Sequence, residues 1–540
     1  MERRALIAFV VSLVILLGYQ EILKFYYPVP QQRTEAPLEP TVPAQIPPQA
    51  GAPVAEEPSK APATAPEGHD VIVETDLFRA VFTTAGARLK HFALNRYRST
   101  VDRESPPLDL LVNTVPGDLP LGLELRGNNK RITDAQASYR VDRDKLLLSG
   151  GARDSITFTT EVDGMTIVKR IDVQGNRYLA GVELQVEGAG SAYSEMGLSW
   201  NAMMPRIHVP GSEVLFDSVV NIRNDKFEHR LWTSVDATHE VYDKNVQWLG
   251  QSGRYFLAVM VPPSDAVGAT RMWLKRHDDL IETQLLLPAG TLRSRIDLYV
   301  GPKEIHVLED EDHSLRRAVD LGMFTFIALP LLQALKLSHR VTGNYGIDII
   351  LLTVFIKVLF IPLTRSSLRS MREMQKLQPQ MTKIREKLKD KPDEMNKEIM
   401  ELYRSRKVNP LGGCLPMILQ MPVFLGLYNA LLNAVELRHA PFAGWIRDLS
   451  APDRLGSMHL PFVEQPGIPI LTLLMGVSMF IQQWKTPATT ADPAQQRVMM
   501  IMPLMFTFMF INFPAGLTLY WLVNNILTIA QQYGISRPER

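Results

Sequence analysis

The spacing of apolar residues divides this chain into four stretches of different character. Residues 1–27 open Met-Glu-Arg-Arg, run apolar from Ala5 to Leu17 and close on Tyr19, Phe25, Tyr26 and Tyr27. A cleaved signal peptide shares the basic start but needs a small-x-small site, and Gly18-Tyr19-Gln20-Glu21 stands there instead. With Ile22 and Leu23 included the stretch is long enough to span, so an uncleaved anchor with a cytoplasmic N-terminus is expected. Residues 28–69 follow as a linker; 28–66 carry 11 prolines and should form an extended tether rather than a fold.

Over 70–302 the period becomes two. Ile156, Phe158 and Val162 precede Asp163-Gly164, and Met165, Ile167, Ile171 and Val173 follow it, the pattern of a hairpin. Tyr178, Ala180, Val182, Leu184 and Val186 alternate again, as do Ile296, Leu298 and Val300. The expected fold is one large antiparallel all-β sandwich lying outside the cytoplasmic membrane. Its Trp200, Trp232, Trp248 and Trp273 suit core packing better than a ligand cleft.

From 303 onward the chain reads as membrane, with apolar runs at 321–338, 346–364, 413–435, 468–484, 498–513 and 515–531. Charge assigns their sides. Between Thr364 and Leu411 there are 13 Lys+Arg against 7 Asp+Glu, a net +6, which marks a cytoplasmic segment. An odd number of crossings must then separate it from the outer β-domain, although two apolar runs lie between. The region 303–345, with Gln333, Lys336, His339 and Arg340, is therefore read as an amphipathic helix in the outer interface. Segment 346–364 crosses inward and 365–411 forms a basic cytoplasmic helical hairpin. Segment 412–436 crosses out, 437–467 is an outer loop, 468–484 returns, and 485–497 turns in the cytoplasm. A final hairpin, 498–513 and 514–533, leaves 534–540 inside. The expected fold class is a polytopic α-helical membrane protein of six spans with a five-helix core and a large all-β sandwich domain.

Composition adds exclusions. The 540 residues hold 58 Lys+Arg and 57 Asp+Glu, net +1, so a DNA-binding role is not expected. One cysteine, Cys414, rules out an internal disulfide or a Cys-rich metal site. No phosphate-binding loop, GxSxG elbow or HExxH is present, so neither an enzyme nor a cofactor is expected.

The residue out of place is Lys357, within Ile349–Ile361. An ammonium there costs about 2.5–3.5 kcal/mol on insertion scales, so it should face protein or water. At a rise of about 1.5 Å per residue it sits too near mid-span for easy snorkelling. Thr353 and Thr364 share its helical face, and Pro362 should bend the helix near its cytoplasmic end. Gln420, Asn429, Asn433, Gln482, Gln483, Asn524 and Asn525 are available to line the same hydrated cavity, or to bond helices together. Met417, Met421, Met475 and Met479, with five methionines in 498–513, suit a surface that accepts many apolar shapes. The basic hairpin is open to two readings: contact with nascent chains or ribosomal RNA, and rest on anionic lipid.

The run Lys407-Val-Asn-Pro-Leu-Gly-Gly-Cys414-Leu-Pro-Met-Ile-Leu-Gln-Met-Pro422-Val-Phe resembles the signature of the YidC/Oxa/Alb family of membrane protein insertases. Val435–Phe442, Trp445–Leu449 and Phe513–Trp521 are similar to further blocks of that family, and the likeness covers about 340–535. The anchor, tether and β-domain resemble its Gram-negative form, which implies a cell inner membrane protein with a periplasmic β-domain. The resemblance implies an insertase and chaperone for nascent membrane proteins, working alone or beside the Sec translocon within the lipid bilayer. The ribosome and the signal-recognition-particle pathway are partners such an activity admits. It also implies a hydrophilic groove with one positive residue, and Lys357 matches that position, where many relatives carry Arg. By the same matching Thr353, Phe424, Met475 and Trp521 fall at groove or substrate-contact positions, and Gln420 and Asn524 join them as polar lining. A solute transporter would usually need inverted repeats, and none relates 346–435 to 468–531. A membrane enzyme acting through the β-domain would need clustered acid and base residues in 70–302.

Overall fold

The computed structural model describes residues 68–536, apart from 103, 112–117, 128–129, 190–191, 204–213, 236–239, 243–244, 278–279, 289–291, 312, 390, 407, 409–414, 460–462, 464 and 486–492. The expected anchor, nearly all of the tether, and Cys414 lie outside these residues.

The alternating stretch folds into three sheets of nine, six and five strands. Its hairpin pairs Arg153–Val162 with Met165–Gln174, Val162 opposite Met165. Asp163 and Gly164 turn the chain at φ of 49° and 75°, the double positive φ of the turn whose twist matches the strands it joins. Val182, Leu184 and Val186 on Leu179–Glu187 are buried, as are Ile296, Leu298 and Val300 on Arg293–Pro302. All four tryptophans expected in the core are buried there. The layout differs from the expected antiparallel sandwich in having three sheets and, among the described residues, in one parallel pairing, where Asp70–Glu74 meets Lys145–Leu147 and completes the five-stranded sheet. Parallel neighbours need a long connection, and the intervening strands supply it.

Lys169 sits on the inward parity of its strand, between Ile167 and Ile171, with 1% of its side chain exposed. Its Nζ lies 2.5 Å from Asp134 Oδ2 and donates to the carbonyls of Gly86 (2.9 Å) and Leu121 (2.8 Å). Asp134 also accepts from Tyr139 Oη (2.8 Å) and Leu123 N (3.0 Å). A buried charge is tolerated only when paired and hydrogen-bonded, and here all three ammonium protons have acceptors.

Beyond the sheets come helices α1 (Ile305–Asp310), α2 (Thr325–Thr342), α3 (Tyr345–Leu359), α4 (Ile361–Lys387), α5 (Pro392–Ser405), α6 (Leu415–Asn433), α7 (Ile470–Lys485), α8 (Pro493–Phe510) and α9 (Ala515–Ser536). Among the described residues no single helix is both long and apolar enough to cross a membrane; α3 and α4 pass together as a pair bent by 61°. The break falls at Phe360, and Pro362 stands in the first turn of α4, where its missing N–H costs nothing. Thr364 therefore leaves the face of Lys357 and bonds back to Phe360 O at 2.9 Å.

Helix α9 is the centre of the second core, packing on α7, α3 and α6. Ile349, Leu352, Ile356, Leu431, Met475, Phe510 and Tyr520 are buried in that core. Asp453 caps the start of α7, accepting from Leu471 N at 2.7 Å and Thr472 Oγ1 at 3.0 Å. The α4–α5 hairpin closes through Met374, Leu377 and Met381, with Tyr403 Oη donating to Met381 Sδ at 3.0 Å.

Candidate functional site

The polar residues of the helical region gather on one face of α9. Tyr520, Asn524 and Thr528 recur every four residues and so stand above one another on a helix. Gln420 Nε2 on α6 donates to Asn524 Oδ1 at 3.0 Å. Thr528 Oγ1 donates to Asn524 O at 2.7 Å and accepts from Lys357 Nζ on α3 at 2.8 Å. One track thus joins Lys357, Thr528, Asn524 and Gln420 across three helices. Asn525, one residue round the helix, donates to Ser478 Oγ on α7 at 3.0 Å.

Lys357 is half-buried, and Thr528 is its hydrogen-bond partner; among the described residues no carboxylate lies within 4 Å of its ammonium. A cation taken from water and left without a counter-charge retains most of its field, because the low-dielectric surroundings screen it weakly.

Below the track lies an aromatic cluster. Phe424 meets Trp521 edge-on with centroids 5.1 Å apart, and Phe510 does so at 5.8 Å. The Trp521 indole N–H is buried with no acceptor among the described residues, so the ring offers a donor as well as an apolar face. Met421, on the helix of Phe424, and Met500, Met502 and Met509, on that of Phe510, are exposed.

Other expected residues are placed differently. Thr353 is buried and spends its hydroxyl on Ile349 O of its own helix, at 2.6 Å. Met475 is fully buried in the α7–α9 core and not open to a passing chain. Thr528 was not expected, although its spacing of four from Asn524 was the available signal.

The orientation of α3 is fixed at its N-terminus. Asn344 caps it, accepting from Gly346 N (2.9 Å) and Ile347 N (3.2 Å), and donates to Phe442 O at 3.0 Å. Asp348 is fully buried and accepts from Ser338 Oγ, from Thr342 Oγ1 at 2.6 Å and from His339 Nδ1 at 3.0 Å. Three side chains from the end of α2 thus clamp the helix that carries Lys357. No group of His, Cys, Asp and Glu able to hold a metal occurs among the described residues.

Comparison with known proteins gives two family matches, the YidC periplasmic domain over residues 70–334 and the 60Kd inner membrane protein over 337–540. The chain is 38% identical to the membrane protein insertase YidC of Pelobacter propionicus, with 99% of each chain covered. It is 38% identical to the protein of that name from Syntrophobacter fumaroxidans, covering 99% of this chain and 100% of the relative. A solved structure of an active YidC insertase with its first transmembrane domain resolved is 18% identical, with a TM-score of 0.36, covering 86% of this chain and 92% of that one.

Proposed function

This chain belongs to the YidC family of membrane protein insertases, a non-enzymatic role, and on that premise we propose that Lys357 is the cation which draws the acidic outer segment of a client into the helical bundle. The observation that carries this reading is the ammonium's company among the described residues: a neutral hydroxyl and no carboxylate. A client carboxylate would supply the missing counter-charge. The track through Thr528, Asn524 and Gln420 then gives the client's polar segment hydrogen-bond partners, while Phe424, Trp521 and the exposed methionines receive its apolar segment. Met475 and Thr353 act behind this surface, as packing for it.

The proposed topology has six spans, with both termini in the cytoplasm. It is supported by the contact between the β-rich region and one end of the bundle: Arg438, just past α6, donates to Arg98 O at 2.8 Å. The start of α3 and the end of α6 therefore lie toward the periplasmic domain, and the basic α4–α5 hairpin follows the opposite end of α3. In this reading the inner-membrane protein serves nascent membrane proteins alone or beside the Sec translocon, with the hairpin available to the ribosome and the signal-recognition-particle pathway.

Depletion of the protein should slow insertion of small single- and double-span proteins; unchanged insertion would refute the role. Lys357→Ala should impair clients with acidic translocated segments and spare neutral ones. Lys357→Arg should retain the attraction, because charge survives the exchange even though donor geometry does not. Equal loss for acidic and neutral clients would refute the role of charge.

A further inference from the structure

The loop between α6 and α7 closes, through residues 449–454, the ends of three helices, each with the chemistry that end needs. A helix starts with unpaired N–H groups and finishes with unpaired carbonyls. At the start of α9, Ala515 N donates to Ala451 O (2.8 Å) and Gly516 N to Leu449 O (2.9 Å). At the start of α7, buried Asp453 accepts from Leu471 N and Thr472 Oγ1, a carboxylate at a positive helix end. Just past the end of α8, Arg454 Nη1 donates to Ile511 O (3.0 Å) and Nη2 to Asn512 Oδ1 (2.9 Å), a cation at a negative end. The same guanidinium is anchored in its own loop, Nε on Gln465 O at 3.2 Å and Nη1 on Asp453 O at 2.8 Å. That loop is itself pinned, since Leu455 and Ile468 exchange backbone hydrogen bonds of 3.0 and 2.9 Å. Gly467, at φ 125°, leaves room for Arg454, whose Cβ would lie 2.7 Å from a Cβ there.

Two adjacent side chains therefore hold α7 and α8 to a loop that also caps α9. Ile511 and Asn512 directly follow Phe510, which packs on Trp521 of α9; Phe506, one turn earlier, lies 6.3 Å from the same ring. Helix α7, fastened by Asp453, carries the Ser478 that bonds Asn525. The spacing of the aromatic cluster and of the polar track thus depends on where α7 and α8 stand beside α9. We propose that Arg454, with Asp453, is a positioning residue for client insertion. Its planar fork holds the end of α8 against the loop and so keeps Phe506 and Phe510 in register with Trp521. A lysine cannot replace it, because one ammonium on a flexible stem does not span four acceptors set around a plane. This role rests on the proposed reading of the aromatic cluster as the client's apolar contact, and not on the charge of Lys357.

The test uses the full chain with Cys414, its one cysteine, changed to Ser, and nitroxide labels on Leu504→Cys of α8 and Ile526→Cys of α9, both exposed positions. Double electron–electron resonance in proteoliposomes reads the α8–α9 distance, and insertion of an acidic and a neutral client is followed in the unlabelled chain. Arg454→Gln should broaden the distance distribution about twofold and slow both clients alike by about tenfold, the scale of lost hydrogen bonds to a charged group. Arg454→Lys should rescue neither readout. Asn512→Ala, which removes one acceptor on an exposed side chain, should move both readouts the same way by less, and serves where Arg454→Gln fails to fold. Lys357→Ala should keep the wild-type distance. An unchanged distance in the Arg454 or Asn512 variant would overturn the proposal, as would a broadened one with wild-type insertion. So would a loss confined to acidic clients, which would make Arg454 a second attracting charge. Wild-type insertion by Trp521→Ala would instead refute the aromatic contact, and this role with it.

Discussion

Among the described lysines that are withdrawn from water, two have opposite surroundings. Lys169, in the β-domain, has its three protons accepted by Asp134, Gly86 O and Leu121 O. Lys357, in the bundle, has one neutral hydroxyl, that of Thr528. The first is a closed structure: its charge is neutralised, and nothing approaching from outside would gain by binding it. The second, among the described residues, keeps its field and its remaining donors uncommitted. The same residue type thus holds three sheets together in one region and, in the function proposed above, stands ready for a client in the other. The number and charge of its acceptors make the difference.

The sharpest way to break this contrast is to remove each ammonium in turn. Lys169→Met should lower stability by about 1–3 kcal/mol, because buried Asp134 loses its nearer cation and is left with Arg88 Nη2, 3.4 Å from its Oδ1, as counter-charge. Thermal or denaturant unfolding of the full chain in detergent measures it. Lys357→Met should leave the same unfolding curve within about 0.5 kcal/mol, as no buried counter-charge is orphaned. If the two variants unfold alike, the contrast fails.

Next in size is Gly346→Ala. A Cβ at Gly346 would come within 2.0 Å of Phe442 Cδ2, and overpacking of this kind costs about 1–3 kcal/mol. The cost should appear in unfolding and also in client insertion, since the clamp at Asn344 and Asp348 sets the direction of the helix bearing Lys357.

The pH dependence of stability sharpens the comparison further. Burial lowers the Lys169 ammonium below its ordinary 10.5, against the opposing pull of Asp134. Between the lowered value and 10.5 the unfolded chain holds more protons than the folded one, so stability should rise with pH across that interval. Unfolding followed from pH 7 to 10.5 should show a smaller slope in Lys169→Met than in the wild type, the remainder coming from Lys303, whose ammonium burial also lowers.

The smallest effect expected is that of Thr528→Val. It removes one neutral hydrogen bond and should cost no more than about 1 kcal/mol. Insertion of acidic clients should persist, because the charge of Lys357 remains. Loss of insertion as severe as in Lys357→Ala would make the Thr528 contact, rather than the cation, the functional element.

Much of the molecule was legible because it depends on local period. Strand alternation around Asp163-Gly164 gave the hairpin, and the apolar runs after residue 320 gave helices. Lys357 stood out because a lone charge in an apolar helix contradicts its surroundings. Lys169 did not stand out, since one lysine among charged neighbours looks ordinary on a strand; only its parity, shared with Ile167 and Ile171, marked it as inward. Thr528 escaped for a similar reason, threonine being unremarkable until its hydroxyl has a partner. The break at Phe360 was displaced from Pro362 because proline is accepted in a first helical turn and so follows a break rather than forming it.

The sequence by itself determined which segments are strand and which are helix, the sign of the hairpin segment and the presence of a cation in an apolar stretch, all of which follow from period and charge along the chain. The tertiary structure decided which lysine is saturated and which is not, that Met475 is buried while Met421 is exposed, and that Gln420, Asn524, Thr528 and Lys357 fall on one track. Those are relations between residues far apart in the chain, and they come into being only when packing brings one element against another.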